Sequence, residues 1–336
     1  MPRAKQRLKL VIGRKTDPGH IDRIVSSFPF LDVEICQTEE EQDGALRSAD
    51  MLFTRILPRR PSIAPDLKWV HFMWEGVDSM SDEFRDSDIV LTNSSGAHAD
   101  HIAEHVFAFI LNHARKARLY MDLQGRKEWL SWWDQPKLDM LRGSTIGVIG
   151  YGRIGRAIAA IANGFGMNVI AMKRNPSKKI VEGPEFIPCR DPEGRIPYKI
   201  LGPDGIMELF SVSDHVVLAL PYTRETHHLL GVEKFRAMKP TAFLVNIGRG
   251  ALIDEGSLVD ALGSGEIAGA GLDVFEKEPL PAQSPLWVME NVMITPHSSV
   301  GGDPAEDTVI DLFCENLDRF IRGDEMMNLV DKRKGY

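Results

Sequence analysis

Short apolar runs and longer amphipathic stretches alternate along the chain. In the first third, Leu8–Ile12, Leu31–Ile35, Met51–Thr54, Trp69–Phe72 and Ile89–Thr92 are compact runs of aliphatic and aromatic residues. Runs of that length between polar or turn-forming residues predict buried strands. Asp17–Ser27 and Glu39–Arg47 predict helices between them. Strand–helix alternation implies a parallel sheet with helices on its faces. Pro58, Pro61 and Pro65 mark a loop before the fourth strand.

A long helix is predicted from His98 to Arg118, because Ile102, Val106, Phe109, Ile110 and His113 recur at helical spacing. Residues 119–143 hold Trp129, Trp132 and Trp133 among polar neighbours and read as a crossover into a second domain, with the aromatics as packing anchors. A second alternating unit follows: Thr145–Ile149, Asn168–Met172, His215–Leu220, Ala242–Asn246, Ile267–Asp273 and Val292–Thr295. The Pro- and Gly-rich stretch 176–205 interrupts it as a surface insertion suited to a β-hairpin. A last amphipathic helix, Pro304–Arg322, aligns Val309, Leu312, Phe313, Leu317 and Phe320 on one stripe. The fold class expected is α/β, with two Rossmann-like domains, each a parallel sheet flanked by helices.

Length agrees with two domains, since 336 residues exceed the usual size of one. Forty Lys+Arg against 48 Asp+Glu give a net charge of −8. That balance argues against a nucleic-acid or anionic-membrane partner, both of which need clustered positive charge. No apolar stretch approaches the ~18 residues of a membrane span, and the basic N-terminus lacks a signal-peptide apolar region. Cys36, Cys189 and Cys314 are far apart and form no CxxC pair, so free thiols in a reducing compartment, the cytoplasm, are expected. His101 and His105 have a zinc-compatible spacing, but no HExxH or third ligand accompanies them, so no metal is expected and helix packing explains them.

Gly150-Tyr-Gly152-Arg153-Ile154-Gly155 lies between the strand TIGVI and an apolar-periodic helix. In that setting GxGxxG marks a dinucleotide site. Gly150 permits the tight turn, Gly152 lets a pyrophosphate approach the backbone, and Gly155 lets helix and strand pack closely. The helix N-terminus offers free N–H groups to the phosphates. Lys173 and Arg174 stand where an NAD site would place an acidic residue. Their charge would attract a 2′-phosphate, so NADP(H) is favoured over NAD(H). Lys178 and Lys179 nearby leave a solvated basic loop as the alternative.

Three segments end β runs at the edge where open α/β sheets bind ligands: Val245-Asn246-Ile247-Gly248-Arg249-Gly250, Gly271-Leu272-Asp273-Val274-Phe275-Glu276-Lys277-Glu278-Pro279-Leu280-Pro281 and Ile294-Thr295-Pro296-His297. With Asn93-Ser-Ser-Gly96, Ala103-Glu104-His105, the glycine loop and Leu220-Pro221 with Thr226, they occur in an order that resembles the D-isomer-specific 2-hydroxyacid dehydrogenase family. That family includes glyoxylate/hydroxypyruvate reductases and phosphoglycerate dehydrogenases. The resemblance implies an enzyme that moves hydride between NAD(P)H and a small 2-keto acid or D-2-hydroxy acid. It implies Arg249, Glu278 and His297 as catalytic residues. His297 would exchange a proton with the substrate oxygen. Glu278 would orient and charge its ring, and Arg249 would bind the substrate carboxylate and polarise the carbonyl. Leu220, Pro221, Thr226, Asn246, Ile247 and Gly248 would border the cofactor, with Asp273 and His297 at the nicotinamide. Glutamine replaces Glu278 in relatives of the formate dehydrogenase type, so Glu278 implies a proton-coupled reaction.

By the same resemblance, residues 1–112 and 298–336 form a flavodoxin-like substrate-binding domain and 113–297 the dinucleotide-binding Rossmann domain, with the active cleft between them. Trp74-Glu75-Gly76-Val77-Asp78 is similar to a loop whose N–H groups receive the substrate carboxylate, with Trp74 lining the pocket. Arg55 suits a substrate phosphate or second carboxylate, or is simply solvated. A homodimer through the cofactor domain is implied, the 119–143 segment being suited to the contact. The chain stops soon after its last helix, so no C-terminal regulatory domain is expected. A nucleotide-sensing corepressor-like binding module on the same fold is the alternative reading.

Overall fold

The structure is a computed structural model, and it describes residues 7–13, 16–181, 185–301 and 303–335. The chain divides into two compact units: Met1–Ala97 with Gly183–Ile187 and Gly302–Tyr336, and His98–Glu182 with Pro188–Gly301.

The first unit holds β1 (Lys9–Ile12), α1 (Pro18–Ser27), β2 (Asp32–Ile35), α2 (Glu39–Ala45), β3 (Met51–Thr54), β4 (Trp69–Phe72), α3 (Asp82–Asp86) and β5 (Val90–Asn93). Its five parallel strands run in the order β2-β1-β3-β4-β5. Side chains alternate across a strand, so apolar residues at every position of a central strand serve two cores. Leu10, Ile12, Phe53 and Trp69 pack on one face with Phe313 and Leu317 of the C-terminal helix, whereas Val11, Leu52 and Val70 pack on the other with Leu46 and Phe84. The helices start where the chain supplies caps. Asp17 accepts from Gly19 N at 2.8 Å ahead of α1, and Thr38 accepts from Glu41 N at 3.1 Å ahead of α2.

The second unit opens with α4 (Ala99–Arg115) and α5 (Ala117–Arg126). It continues through β6 (Thr145–Ile149), α6 (Arg153–Gly164), β7 (Asn168–Met172), β8 (Lys199–Leu201), α7 (Ile206–Val212) and β9 (His215–Leu218). It ends with α8 (Val232–Ala237), β10 (Phe243–Asn246), α9 (Glu255–Ser264), β11 (Gly269–Leu272) and β12 (Val292–Ile294), after which α10 (Asp303–Arg322) returns to the first unit. Seven parallel strands are ordered β12-β11-β10-β9-β6-β7-β8. The chain runs outward from β6 to β8, then comes back to place β9 beside β6. That reversal is the switch point at which doubly wound sheets open a crevice for ligands.

Four features differ from the sequence reading. The helix expected over His98–Arg118 breaks at Lys116, which takes left-handed backbone at φ +53° between α4 and α5. Trp129, Trp132 and Trp133 anchor no packing within the chain, being 96%, 77% and 90% exposed. Segment 176–205 forms no hairpin among its described residues, because β8 adds in parallel to β7. Its middle is held instead by Arg156 of α6, only 1% exposed, whose guanidinium donates to the Asp191 and Lys179 carbonyls and lies over the Tyr151 ring. Finally, α4 packs on α6, β10 and β11 of the second unit, although its pattern was read as part of the first domain. Phe109 makes this fit possible: its ring fills the space above Gly271, where an added Cβ would meet Phe109 Cγ at 2.5 Å.

Candidate active site

The three segments singled out in the sequence meet at the C-terminal ends of β10, β11 and β12. Backbone bonds continue the sheet ladder beyond the strands. Asp273 N donates to Asn246 O at 3.0 Å, Thr295 N to Leu272 O at 3.0 Å, and His297 N to Asp273 O at 2.8 Å. The first segment turns sharply around Asn246, which is fully buried. Its Nδ2 donates to Arg249 O at 2.9 Å and its Oδ1 accepts from Gly248 N at 3.1 Å. Asn246 therefore braces the turn that presents Arg249. Gly250 follows with no room for a side chain, since a Cβ there would meet Phe275 C at 1.8 Å. The Arg249 turn is thus seated directly on the backbone of the Glu278 loop.

Glu278 reaches two groups. Its Oε1 accepts from Phe275 N at 3.1 Å, and its Oε2 lies 2.8 Å from His297 Nδ1. Both side chains are partly exposed. An exposed ion pair is worth at most about 1 kcal/mol, so the arrangement serves orientation more than stability. With Nδ1 directed at a carboxylate, Nε2 is the nitrogen left to meet a substrate. Arg249 is half-buried, and its Nη1 donates to Gly248 O at 2.7 Å.

Asp273 takes a part beyond the one the sequence suggested. Its carboxylate is fully buried and turned into the His297 loop. Oδ1 accepts from Thr295 Oγ1 at 2.6 Å and from Ser298 N at 2.8 Å, and Oδ2 accepts from Ser299 N at 3.1 Å. Burial on its own would raise this carboxyl, but the hydrogen bonds from Ser299, Thr295 and Ser298 outweigh it and hold the group below the ordinary carboxylate range. Thr295 enters the sequence analysis only as part of the last β run and the third segment, and Ser298 and Ser299 not at all. The available signal was the hydroxyl-rich run that flanks His297, Thr295 to Ser299.

At the switch point, Gly150 has φ +108°, and a Cβ on it would meet Ala219 O at 2.3 Å. A Cβ on Gly155 would meet Gly150 O at 2.1 Å, so helix and strand touch there. Gly152 caps α6 without a side chain, and nothing lies within 4 Å of its Cβ position. The space left open at Gly152, at the N-terminus of α6, fits the approach of a dinucleotide diphosphate. Arg153 begins this helix, and Ile154 packs into the core beneath. Lys173 and Arg174 follow β7; Lys173 Nζ donates to Lys178 O. Across from them, Thr226 Oγ1 donates to Pro221 O at 3.0 Å and closes the loop after β9, while Leu220 packs on the core. Ile247 N donates to Leu218 O at 3.3 Å.

The remaining sequence candidates lie in the first unit. Val77 is buried in the turn after β4, next to Gly76. Arg55 is not a solvated arginine: its Nη2 pairs with Glu306 Oε1 at 2.7 Å and its guanidinium lies 5.2 Å from the Trp74 ring centre. Among the described residues no helix is long and apolar enough to cross a membrane. No group of three His, Cys, Asp or Glu side chains among them is placed to hold a metal ion.

Comparison with known proteins bears on the family and the fold. The family model for the NAD binding domain of D-isomer specific 2-hydroxyacid dehydrogenases matches residues 107–299. A glyoxylate reductase of Aeropyrum pernix is 35% identical over 301 residues, covering 85% of this chain and 84% of that one. A D-isomer specific 2-hydroxyacid dehydrogenase of Xanthobacter autotrophicus, solved with NADPH and MES, superposes with a TM-score of 0.82 at 29% identity, over 98% of this chain and 100% of that one. An NADPH-dependent glyoxylate/hydroxypyruvate reductase of Sinorhizobium meliloti, solved with NADP and sulfate, gives a TM-score of 0.80 at 25% identity over the same shares. A family model spanning more than half of the chain, and a relative sharing a third of its residues over most of both sequences, fix the kinship: the chain belongs to the D-isomer specific 2-hydroxyacid dehydrogenases, a family of NAD(P)-dependent oxidoreductases.

Proposed function

We propose that this protein is an NADP(H)-preferring reductase of small 2-keto acids such as glyoxylate or hydroxypyruvate, with His297 as general acid. The observation that carries the reading is the 2.8 Å contact between His297 Nδ1 and Glu278 Oε2, fixed on adjoining strand ends with Arg249. The kinship with glyoxylate reductases supports the substrate class, and the NADPH and NADP bound in two structural relatives support the cofactor.

The reduced nicotinamide, when bound, supplies the hydride. The α6 N-terminus and Gly150, Gly152 and Gly155 hold the diphosphate, Lys173 and Arg174 meet the 2′-phosphate, and Asn246–Gly248 with Leu220–Thr226 border the crevice. Arg249 presents a planar fork to the substrate carboxylate and draws charge toward the carbonyl oxygen. As negative charge develops on that oxygen, His297 donates its Nε2 proton to it. Glu278 holds the ring by Nδ1 and stabilises the imidazolium before transfer; in the oxidative direction the proton returns to Nε2. In the first unit, the Trp74–Val77 turn is proposed to take part in substrate binding through its backbone N–H groups. The exposed Trp129, Trp132 and Trp133 suit a homodimer contact, which light scattering tests; a monomer would reject it.

The decisive assay follows nicotinamide absorbance with glyoxylate or hydroxypyruvate, each against NADPH and NADH. Turnover that prefers NADPH and is abolished in His297→Ala is expected. Full activity of His297→Ala would overturn the assignment of the acid, and nucleotide binding without turnover would favour a sensing module instead.

A further inference from the structure

We propose that His105 of α4 is a positioning residue for His297, acting through the Thr295 hydroxyl and the Asp273 carboxylate. The inference rests on the role proposed above for His297, but the brace itself is a matter of hydrogen bonds and can be tested apart from it.

The direction of the bonds follows from what each group can do. Asp273 Oδ1 belongs to a buried carboxylate and can only accept, so at 2.6 Å the Thr295 hydroxyl donates to it. That spends the one proton of Thr295. His105 Nε2, 3.0 Å from Thr295 Oγ1, must then be the donor. The same Nε2 lies 3.8 Å from Asp273 Oδ1, near enough for any positive charge on the ring to favour the carboxylate. A chain of donors thus runs from His105 through Thr295 to Asp273. Asp273 in turn receives the N–H groups of Ser298 and Ser299 on its side chain and that of His297 on its carbonyl. Every backbone N–H from His297 to Ser299 is tied to this one residue.

The tie has something to hold. His297 sits in left-handed backbone, φ +51°, a region that is strained for a non-glycine residue and persists only when its surroundings impose it. His105 is itself fixed, edge-on to the Phe109 ring at 4.8 Å, and Phe109 is locked over Gly271 two residues before Asp273. Helix α4 therefore holds the surroundings of Asp273 at two points: Phe109 over Gly271 in β11 and His105 on Thr295 beyond β12.

The test uses the full chain and amide hydrogen exchange, with kinetics beside it. In His105→Leu, which keeps the bulk and loses the donor, amides 297–299 should exchange at least ten-fold faster while those of β6 and α6 keep their wild-type rates. The kcat should fall by roughly ten-fold with the NADPH dissociation constant unchanged. His105→Gln, which restores a donor, should recover most of both. Thr295→Val should reproduce the defect and Thr295→Ser should not, so the proposal stays testable if His105→Leu fails to fold. Wild-type exchange in Thr295→Val, or protection lost evenly across the second unit in His105→Leu, would overturn it. Full activity in His297→Ala would instead sink the catalytic reading and leave the exchange result standing.

Discussion

His297 Nδ1 lies 2.8 Å from Glu278 Oε2 although the two residues come from different strand ends, and Glu278 Oε1 is held at the same time by Phe275 N at 3.1 Å. The carboxylate is a bridge between its own loop and the imidazole. Glu278→Gln keeps the shape and an acceptor while removing the charge that stabilises an imidazolium. Its kcat should fall by roughly a hundred-fold, the low end of general acid–base contributions. Unfolding by denaturant should shift by less than about 1 kcal/mol, because the pair is exposed. Steady-state kinetics and a denaturant titration check both parts, and unchanged kcat would remove Glu278 from the machinery.

Lys173 and Arg174 follow β7, and Arg174 lies close enough to Glu225 to help, after the Thr223 hydroxyl, to hold that carboxyl low. In Lys173→Asp with Arg174→Ser, a 2′-phosphate loses its cations and meets an anion. Charge-assisted hydrogen bonds are worth about 1.5–3 kcal/mol, so the ratio of kcat/KM for NADPH over NADH should drop by ten-fold or more. The change should fall on the KM for NADPH. An unaltered ratio would place the 2′-phosphate elsewhere or dismiss the preference.

Gly250 is the tightest point of the site, with the position of a Cβ 1.8 Å from Phe275 C and 2.2 Å from Glu276 N. Both neighbours are backbone and cannot swing aside. Gly250→Ala should lower stability by about 1–3 kcal/mol, the range for overpacking a dense interior, and should lower kcat further than stability alone explains. Gly265→Ala serves as the control: it meets no neighbour and suffers only from its left-handed φ of +77°. Equal behaviour of the two variants in kcat would show that the Arg249 turn does not depend on this seat.

Strands were legible in the sequence wherever burial on both faces left an unbroken apolar run, as in Met51–Thr54 and Phe243–Asn246. Helices α7, α8 and α9 were not anticipated. They are short, and only α9 announces its ends, with Asp254 accepting from Ser257 N and Gly265 as the left-handed stop. The break at Lys116 was hidden because no glycine or proline marks it. In the site, Arg249, Glu278 and His297 were legible as residue types in motifs. What was not legible is how they are held. The partners of Asp273 come from residues 295–299, and the chain that reaches His105 spans 190 residues between His105 and Thr295. Local patterning carries no trace of such long-range hydrogen bonds. The insertion was misread for a similar reason, since the buried Arg156 that secures it lies on a helix whose pattern is otherwise apolar.

Two buried histidines and one half-buried one give the protein an acid-sensitive stability. Burial lowers His71 in the first unit to about 3 and His113 and His215 in the second to about 4. An exposed histidine in the unfolded chain titrates near 6.5. Above that value both states are neutral there and the stability is fully present. Below it the unfolded state binds protons that the folded state refuses, so stability falls until the folded pKa is reached. Each such histidine contributes a slope of about 1.4 kcal/mol per pH unit. The second unit, with two, should lose stability twice as steeply as the first between about pH 6 and 4.5. Glu255, raised by burial and by Glu276, acts with the opposite sign, and Asp273, held low, adds its loss only at still lower pH. Neither reverses the trend in that window. Denaturant titrations at pH 7.5, 6 and 5 should show midpoints that fall with each step. His113→Leu, which leaves an apolar side chain against the Phe243 ring it stacks on, should flatten the decline by one proton. Equal midpoints at pH 7.5 and 5 would mean that these imidazoles are protonated in the folded state and that burial does not govern them.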